Sequence, residues 1–485
     1  MSFNSFCFIF LFLPLSFCGY FVLNRYKRYQ MADWFMIIMS CAFFAYNNIW
    51  SLIAVWISIL VNYGVLWLMK KRNHKKALLT TGVVFNVGSL LCLKYFNFFI
   101  ENCNHIFHSE FRMINLLIPL GISYFTFQQI AYLVDNYKGE VPDYRFGEYC
   151  LFILFFPKAL AGPIVLHDEI MPQFQDIEKR KIDYSNISRG LYAISIGMAK
   201  KVLVADKFGS LVDTYYGNLA GMNTTATVLA VLGFTFQLYF DFSGYCDMAT
   251  GISYLFNIEL PVNFDSPYKS YTISEFWDRW HITLTKFFTK YIYIPLGGSR
   301  QGKVRTYVNI LIVFLLSGLW HGAAWTFIIW GMLHGIMSVV TRVLQKYINR
   351  WNQVFSWMVT FIGVNIAWIF FRAGTVGDAK AVIWSLLSLD FGSIPQEIVK
   401  VFDTKILTSF MELVNMGENM RMRLPSLVMM GYYLVAFTLI LNFRNVYEQI
   451  KEFKPTSAKA VFAAIILLAS VLSFSKVGTF LYVGF

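Results

Sequence analysis

The chain has 485 residues, 57% of them hydrophobic and only 14% charged, whereas soluble domains are nearer a quarter charged. That balance excludes an ordinary soluble enzyme, and apolar runs of membrane length recur along the chain. The net charge of +13 gathers in short loops, "NRYKRYQ" at 24–30 and "KKRNHKK" at 70–76. Such clusters mark cytoplasmic loops and anionic lipid as the partner, not nucleic acid.

The first apolar run, "FCFIFLFLPLSFCGYFVL", has no basic leader, and its charges follow it. It reads as a spanning helix and not a cleaved signal. Its start is expected outside, and Arg25, Lys27 and Arg28 inside. Spans are expected at 3–23, 33–50, 51–69 and 77–99, which returns the chain to the cytoplasm at Lys70–Lys76 and leaves 100–113 outside. Further spans are expected near 115–134, 148–166, 190–212, 225–245, 305–319, 322–345, 355–371, 427–443 and 459–476. Bare backbone crosses lipid only as helices or closed barrels. These runs do not alternate in polarity, so the expected fold is all-α, a polytopic membrane protein of roughly a dozen helical segments. No soluble domain and no repeat interrupts it, and residues 1–485 are expected to form one membrane-embedded domain. Seven scattered cysteines without a CxxC pair make no disulfide framework.

Two regions do not read as plain spans. Residues 233–251, "GFTFQLYFDFSGYCDMATG", carry Gln237, Asp241 and Asp247. Residues 263–300 are longer and amphipathic, with Ser274 placed to cap a helix from Glu275. There Phe276, Trp280, Leu284, Phe287 and Phe288 recur at helical spacing. This segment is expected to lie at the interface or to re-enter the protein until Pro295 and Gly297-Gly298 stop it. Residues 373–425 are more polar and are expected to be a mixed loop with short helices.

The chemistry-bearing residues are few. His321 sits between Trp320 and Gly322, with Gly318 and Gly322 spaced for close helix approach. It is either a structural histidine bonded to a carbonyl or a general base in a dry cavity. His334 lies thirteen residues on, about 20 Å along a straight helix. It is expected to be structural or interfacial and, on a straight helix, outside any compact site of His321. His281 follows Trp280, near Asp278 and Glu275. A metal held by His281, His321 and an acid has little support, because no HExxH or His/Cys cluster exists. Asp241 and Asp247 need partners if buried: helix ends, Tyr239 or Tyr245, or a bound polar group. "PLGGSR" lacks the spacing of a phosphate loop. Up to this point the residues fit an enzyme and a transporter equally.

In order along the chain stand "FLFLPLSFCGYFVLNRYKR", "LLIPLGISYFTFQQIAYLVDNYKG", "LFFPKALAGPIV", "FQLYFDFSGYCDMATGISYLFN", "SEFWDRWHITLTKFFTKYIYIPLGGSR", "GLWHGAAWTFIIWGMLHG" and "WIFFRA". Together they resemble the membrane-bound O-acyltransferase family, with core motifs over 115–373. The resemblance is to its bacterial branch of alginate O-acetylation and teichoic-acid D-alanylation proteins, the alginate type most. It implies helices around a central tunnel or funnel in the bacterial cytoplasmic membrane. The family's catalytic histidine falls on His321 and its second histidine on His281. Arg279 matches a family arginine. Asp278-Arg279 stands where relatives often carry two arginines, and Thr289-Lys290 where they often carry Arg-Asp.

The resemblance further implies a cytoplasmic thioester donor such as acetyl-CoA, with no bound cofactor. It implies an extracytoplasmic glycan acceptor and a separate extracytoplasmic acetyltransferase partner. Gln237, Asp241, Asp247, Arg279 and Trp320 are the expected substrate-lining residues. A D-alanyl cargo brought by an acyl carrier protein is the alternative on the same fold, and a non-enzymatic transporter is the alternative to both.

Overall fold

The computed structural model describes residues 1–485 apart from 115–116, 349, 404, 415–416, 475–479 and 482–485. The first expected residues of the span 115–134 and the end of the span 459–476 therefore lie outside the described residues. Among the described residues the fold is all-α, with one isolated bridge, Phe264 to Trp280.

The helices used below are α1 (Phe8–Arg25), α2 (Tyr29–Asn47), α3 (Ile49–Lys71), α4 (Lys75–Phe107) and α5 (Ile122–Lys138). Short α6 (Phe146–Leu154) and α7 (His167–Gln175) follow, then α8 (Tyr184–Ala199), α9 (Asp206–Gly217) and α10 (Thr224–Leu255). Two more short helices, α11 (Ile273–Arg279) and α12 (Ile282–Phe288), precede α13 (Lys303–His321), α14 (Trp325–Val343) and α15 (Gln353–Arg372). The chain ends with α16 (Val376–Leu387), α17 (Glu418–Asn442), α18 (Val446–Lys451) and α19 (Ser457–Leu472). Eight helices of the described residues are long and apolar enough to cross a membrane, fewer than the expected dozen. Of the others, α2 is as long as α13 and α14 but carries too many polar residues to count among them, and the rest are shorter or broken.

Three sequence expectations need correction. Residues 148–166 do not span. Helix α6 stops at Leu154, a 3₁₀ turn follows at Phe156–Lys158, and α7 leads away. Gln175 of α7 donates to Glu148 of α6 at 2.9 Å, so the segment returns to the end it left. Pro157 and Gly162-Pro163 break the pattern that hydropathy alone reads as continuous. Residues 233–251 are ordinary helix inside the 32-residue α10. The segment 263–300 does re-enter, but not as one helix. Thr272, not Ser274, caps α11 by accepting from the Glu275 amide at 3.1 Å, and the helix breaks at Trp280-His281.

The bundle has two chemically distinct ends. At one, Lys70 pairs with Asp143, Arg180 with Asp33 at 2.9 Å and Lys290 with Asp135 at 3.0 Å. At the other, Arg372 pairs with Asp213 at 2.7 Å. Both re-entrant segments open toward the Lys70 end.

Glycines set the closest helix contacts. Gly190 and Gly197 of α8 face Gly251 and Gly244 of α10. A Cβ on Gly190 or Gly197 would stand 2.6 Å from the opposing carbonyl oxygen. Small residues one heptad apart thus let two backbones touch, and this seam delivers the lysines that follow α8 to the acids of α10.

Candidate active site

His281 is positioned by a break in the chain. It takes a left-handed backbone, φ 46° and ψ 50°, between α11 and α12. Histidine tolerates that region better than a β-branched residue. The strand-like segment 263–265 holds the break in place. Ile282 donates to the Asn263 carbonyl at 3.0 Å, and Asp265 to the Arg279 carbonyl at 2.9 Å. The Asn263 side-chain oxygen also accepts from the Thr283 amide at 3.3 Å and hydroxyl at 2.8 Å. It lies 3.1 Å from Nδ1 of His281. A side-chain carbonyl oxygen can only accept, so the Nδ1–H of His281 donates to it and Nε2 carries the lone pair. The Thr283 hydroxyl oxygen in turn accepts from the Ile164 amide at 3.0 Å, which ties the two re-entrant segments together.

His321 is the last residue of α13, and Gly322 turns the chain out of the helix with φ −165°. Helices α13 and α14 then pack back to back. A Cβ on Gly318 would collide with the Phe327 carbonyl and lie 3.3 Å from Gly331. The expected role of Gly318 in close approach is therefore met. The His321 ring is buried, with Trp320 at 4.8 Å, Trp330 at 5.0 Å and Phe371 at 5.2 Å between centroids. Trp320 also contacts His281 at 5.9 Å. One indole therefore touches both histidines, and Phe127 stacks on it at 5.4 Å.

His334 overturns its expectation of remoteness. The two histidines do not share a straight helix, because the chain breaks at Gly322–Ala324 and doubles back. Trp330 contacts His334 at 5.0 Å, as it contacts His321. His334 accepts from the Trp277 indole at 3.2 Å and is fully buried. It buttresses the site from the side of α11.

The remaining expected residues divide. Trp320 belongs to the centre. Arg279 is held at the surface by Glu275 at 3.1 Å and the Asp265 carbonyl at 3.2 Å. Gln237 packs toward α9, where a Cβ on Gly209 would stand 2.8 Å from its amide nitrogen. Asp241 pairs with Lys201 at 2.6 Å, and Lys201 also with Asp206 at 2.7 Å. Asp247 pairs with Lys200 at 2.6 Å. The acids are thus neutralised by "KK" of a π turn, Lys200–Ala205, and not by helix ends or tyrosines. These lysines were the missed signal: two cations inside an apolar run need acids.

Sequence reasoning also missed Lys94 and Tyr95. They lie in a π turn of α4, Leu91–Tyr95. Lys94 donates to the carbonyls of Trp320 at 2.7 Å and His321 at 3.1 Å. Tyr95 donates to that of Leu319.

A cavity of about 550 Å³ lies between the α11–α12 pair and α13–α14. Trp277, Leu284, Thr285, Phe314 and Ser317 line it, and Arg342 and Gln345 stand toward the Lys70 end. Ser317 is one helical turn from His321. Apolar walls with scattered hydroxyls and a cation suit a thin amphipathic chain. Among the described residues no three His, Cys, Asp or Glu side chains come together as a metal site.

The fold thus places two buried histidines, linked by one indole, at chain breaks of a multi-pass helical protein. The profile of the MBOAT, membrane-bound O-acyltransferase family, matches residues 26–376, and the chain belongs to that family. It is accordingly an O-acyltransferase and a multi-pass protein of the bacterial inner membrane. It is 41% identical over 423 residues to a peptidoglycan O-acetyltransferase of Helicobacter pylori, covering 80% of each chain. It is 35% identical over 404 residues to a probable alginate O-acetylase of Pseudomonas putida, covering 80% of each. A teichoic acid D-alanyltransferase of Streptococcus thermophilus is 28% identical over 292 residues, 54% of this chain and 70% of that one. The expectation that the chain most resembles the alginate type is corrected: the peptidoglycan relative is the more similar of these.

Proposed function

We propose that this protein moves acetyl groups from a cytoplasmic thioester such as acetyl-CoA toward a cell-wall glycan outside, with His321 as general base. The observation that carries the reading is His321 itself. It is buried at a broken helix end, shares Trp320 with His281, and lies one turn from a cavity that opens toward the basic end. By the distribution of cations the Lys70 end is cytoplasmic and the N-terminus outside.

In this reading His321 takes the proton of an acceptor hydroxyl. The oxygen attacks the thioester carbonyl carbon, the C–S bond breaks, and the imidazolium returns the proton to the departing sulfur. His281, fixed in one tautomer by Asn263, orients donor or acceptor through Nε2. Transfer in a dry cavity protects the acyl group from hydrolysis. A separate extracytoplasmic acetyltransferase completes delivery to the glycan, and anionic lipid surrounds the basic end. The 41% relative supports a peptidoglycan acceptor over alginate.

The test is glycan-linked acetyl ester in cells carrying the native chain or His321→Ala at matched membrane abundance. Loss of ester in the variant is expected. Unchanged ester overturns the role of His321 in acetyl transfer. Loss of D-alanyl ester in its place moves the assignment to a carrier-delivered D-alanine.

A further inference from the structure

The four last carbonyls of an α-helix have no partner inside it. In α13 these belong to Gly318, Leu319, Trp320 and His321. A glycine after a helix usually satisfies them locally by turning left-handed. Gly322 does not: it is extended, and its amide reaches only Gly318, at 3.4 Å. The other three carbonyls are taken by two side chains from α4, more than two hundred residues earlier. Tyr95 takes Leu319, and Lys94 takes Trp320 at 2.7 Å and His321 at 3.1 Å.

This clamp has a distinct chemistry. A cation at the negative end of a helix is favourable, and ammonium bonds to carbonyls are stronger than neutral ones. Consecutive residues on a regular helix point about 100° apart. Here both reach one helix end, and both sit in the π turn Leu91–Tyr95, an irregularity that favours functional positions. The alternative, a clamp serving only to dock α4, does not require that its cation bond the carbonyl of His321 itself.

We infer that Lys94 is the positioning residue of His321: its ammonium fixes the end of α13 and so the ring that takes the acceptor proton. The inference rests on the proposed role of His321. A base displaced by about 1 Å loses on the order of a hundredfold in rate while substrate still binds. Lys94→Met is therefore expected to lower kcat strongly and leave KM for acetyl-CoA near the native value. Lys94→Arg keeps the charge and recovers part of the rate. Tyr95→Phe removes one clamp bond with the cation in place and lowers kcat less.

The experiment uses the full chain in membrane vesicles of its own cells, which keep the extracytoplasmic acetyltransferase and the glycan, and follows free thiol released from acetyl-CoA, with His321→Ala in parallel. If His321→Ala is inactive while Lys94→Met keeps native kcat, the inference on Lys94 falls and the base stands. If His321→Ala keeps native activity, the reading of the base falls first. Should Lys94→Met not accumulate, Tyr95→Phe decides: native kcat overturns the clamp, and reduced kcat at native KM supports it. A rise in KM with kcat unchanged in either variant overturns it also.

Discussion

The side-chain oxygen of Asn263 lies 3.1 Å from Nδ1 of His281 and accepts two further bonds from Thr283. This one atom fixes the tautomer of the histidine and the chain break that carries it. Asn263→Leu removes the acceptor without much change of volume. Activity is expected to fall steeply, toward the roughly 10⁴-fold loss seen when a histidine's orienting partner is removed. Asn263→Asp retains an acceptor and is expected to keep more activity than Asn263→Leu. Thiol release from acetyl-CoA at matched protein level measures both, and equal activities of the two variants contradict the tautomer argument.

Asp247 and Lys200 form a pair at 2.6 Å, each side chain about 15% exposed. Removing one member leaves a charge without a partner; a fully buried pair would cost about 3–5 kcal/mol to break, and partial exposure puts this one below that range. Asp247→Ala is expected to reduce membrane abundance and thermal stability. Whatever protein survives should bind acetyl-CoA with unchanged KM. A normal melting temperature with a raised KM would return Asp247 to the substrate-lining role expected from its sequence context.

Lys290 bridges the second re-entrant segment to Asp135 at 3.0 Å and to Glu140 at 3.6 Å. Burial lowers the lysine pKa, but the bonds to Asp135 outweigh it and the net direction is upward. A lysine raised on folding contributes stability that is complete below its unfolded value and fades as pH rises through the raised one. Lys290→Met is therefore expected to melt several degrees lower at pH 7. The gap should persist through neutral pH and narrow above about pH 10.4. It should narrow again in acid as Asp135, whose burial is outweighed by bonds that hold it below the usual carboxylate range, takes up its proton. A gap that closes near pH 7 refutes this assignment.

Gly318 meets the backbone of Phe327 and Gly331. Gly318→Ala forces α13 and α14 apart and moves His321 with them. Overpacking of this kind costs about 1–3 kcal/mol. Both abundance and turnover are expected to drop, whereas Gly88→Ala, where a Cβ meets nothing within 4 Å, should match the native protein in both. Native turnover in Gly318→Ala would show that the helix contact does not position the histidine.

What the sequence determined by itself was the membrane and the all-α fold. Hydropathy marks a membrane-embedded helical chain because backbone in lipid must satisfy its own hydrogen bonds, but it overcounts the crossings, with eight long apolar helices among the described residues where roughly a dozen were expected. The order of "WDRWH" before "LWHG" placed His281 and His321. What only the tertiary structure decided were the breaks and the long-range partners. A hydropathy window does not see Gly322 turn extended or His281 turn left-handed, so His334 read as remote and 148–166 as a span. Lys94 lies 227 residues from His321, and Lys201 forty from Asp241. Such pairings depend on which helix faces meet, a property of packing in three dimensions that local pattern does not carry.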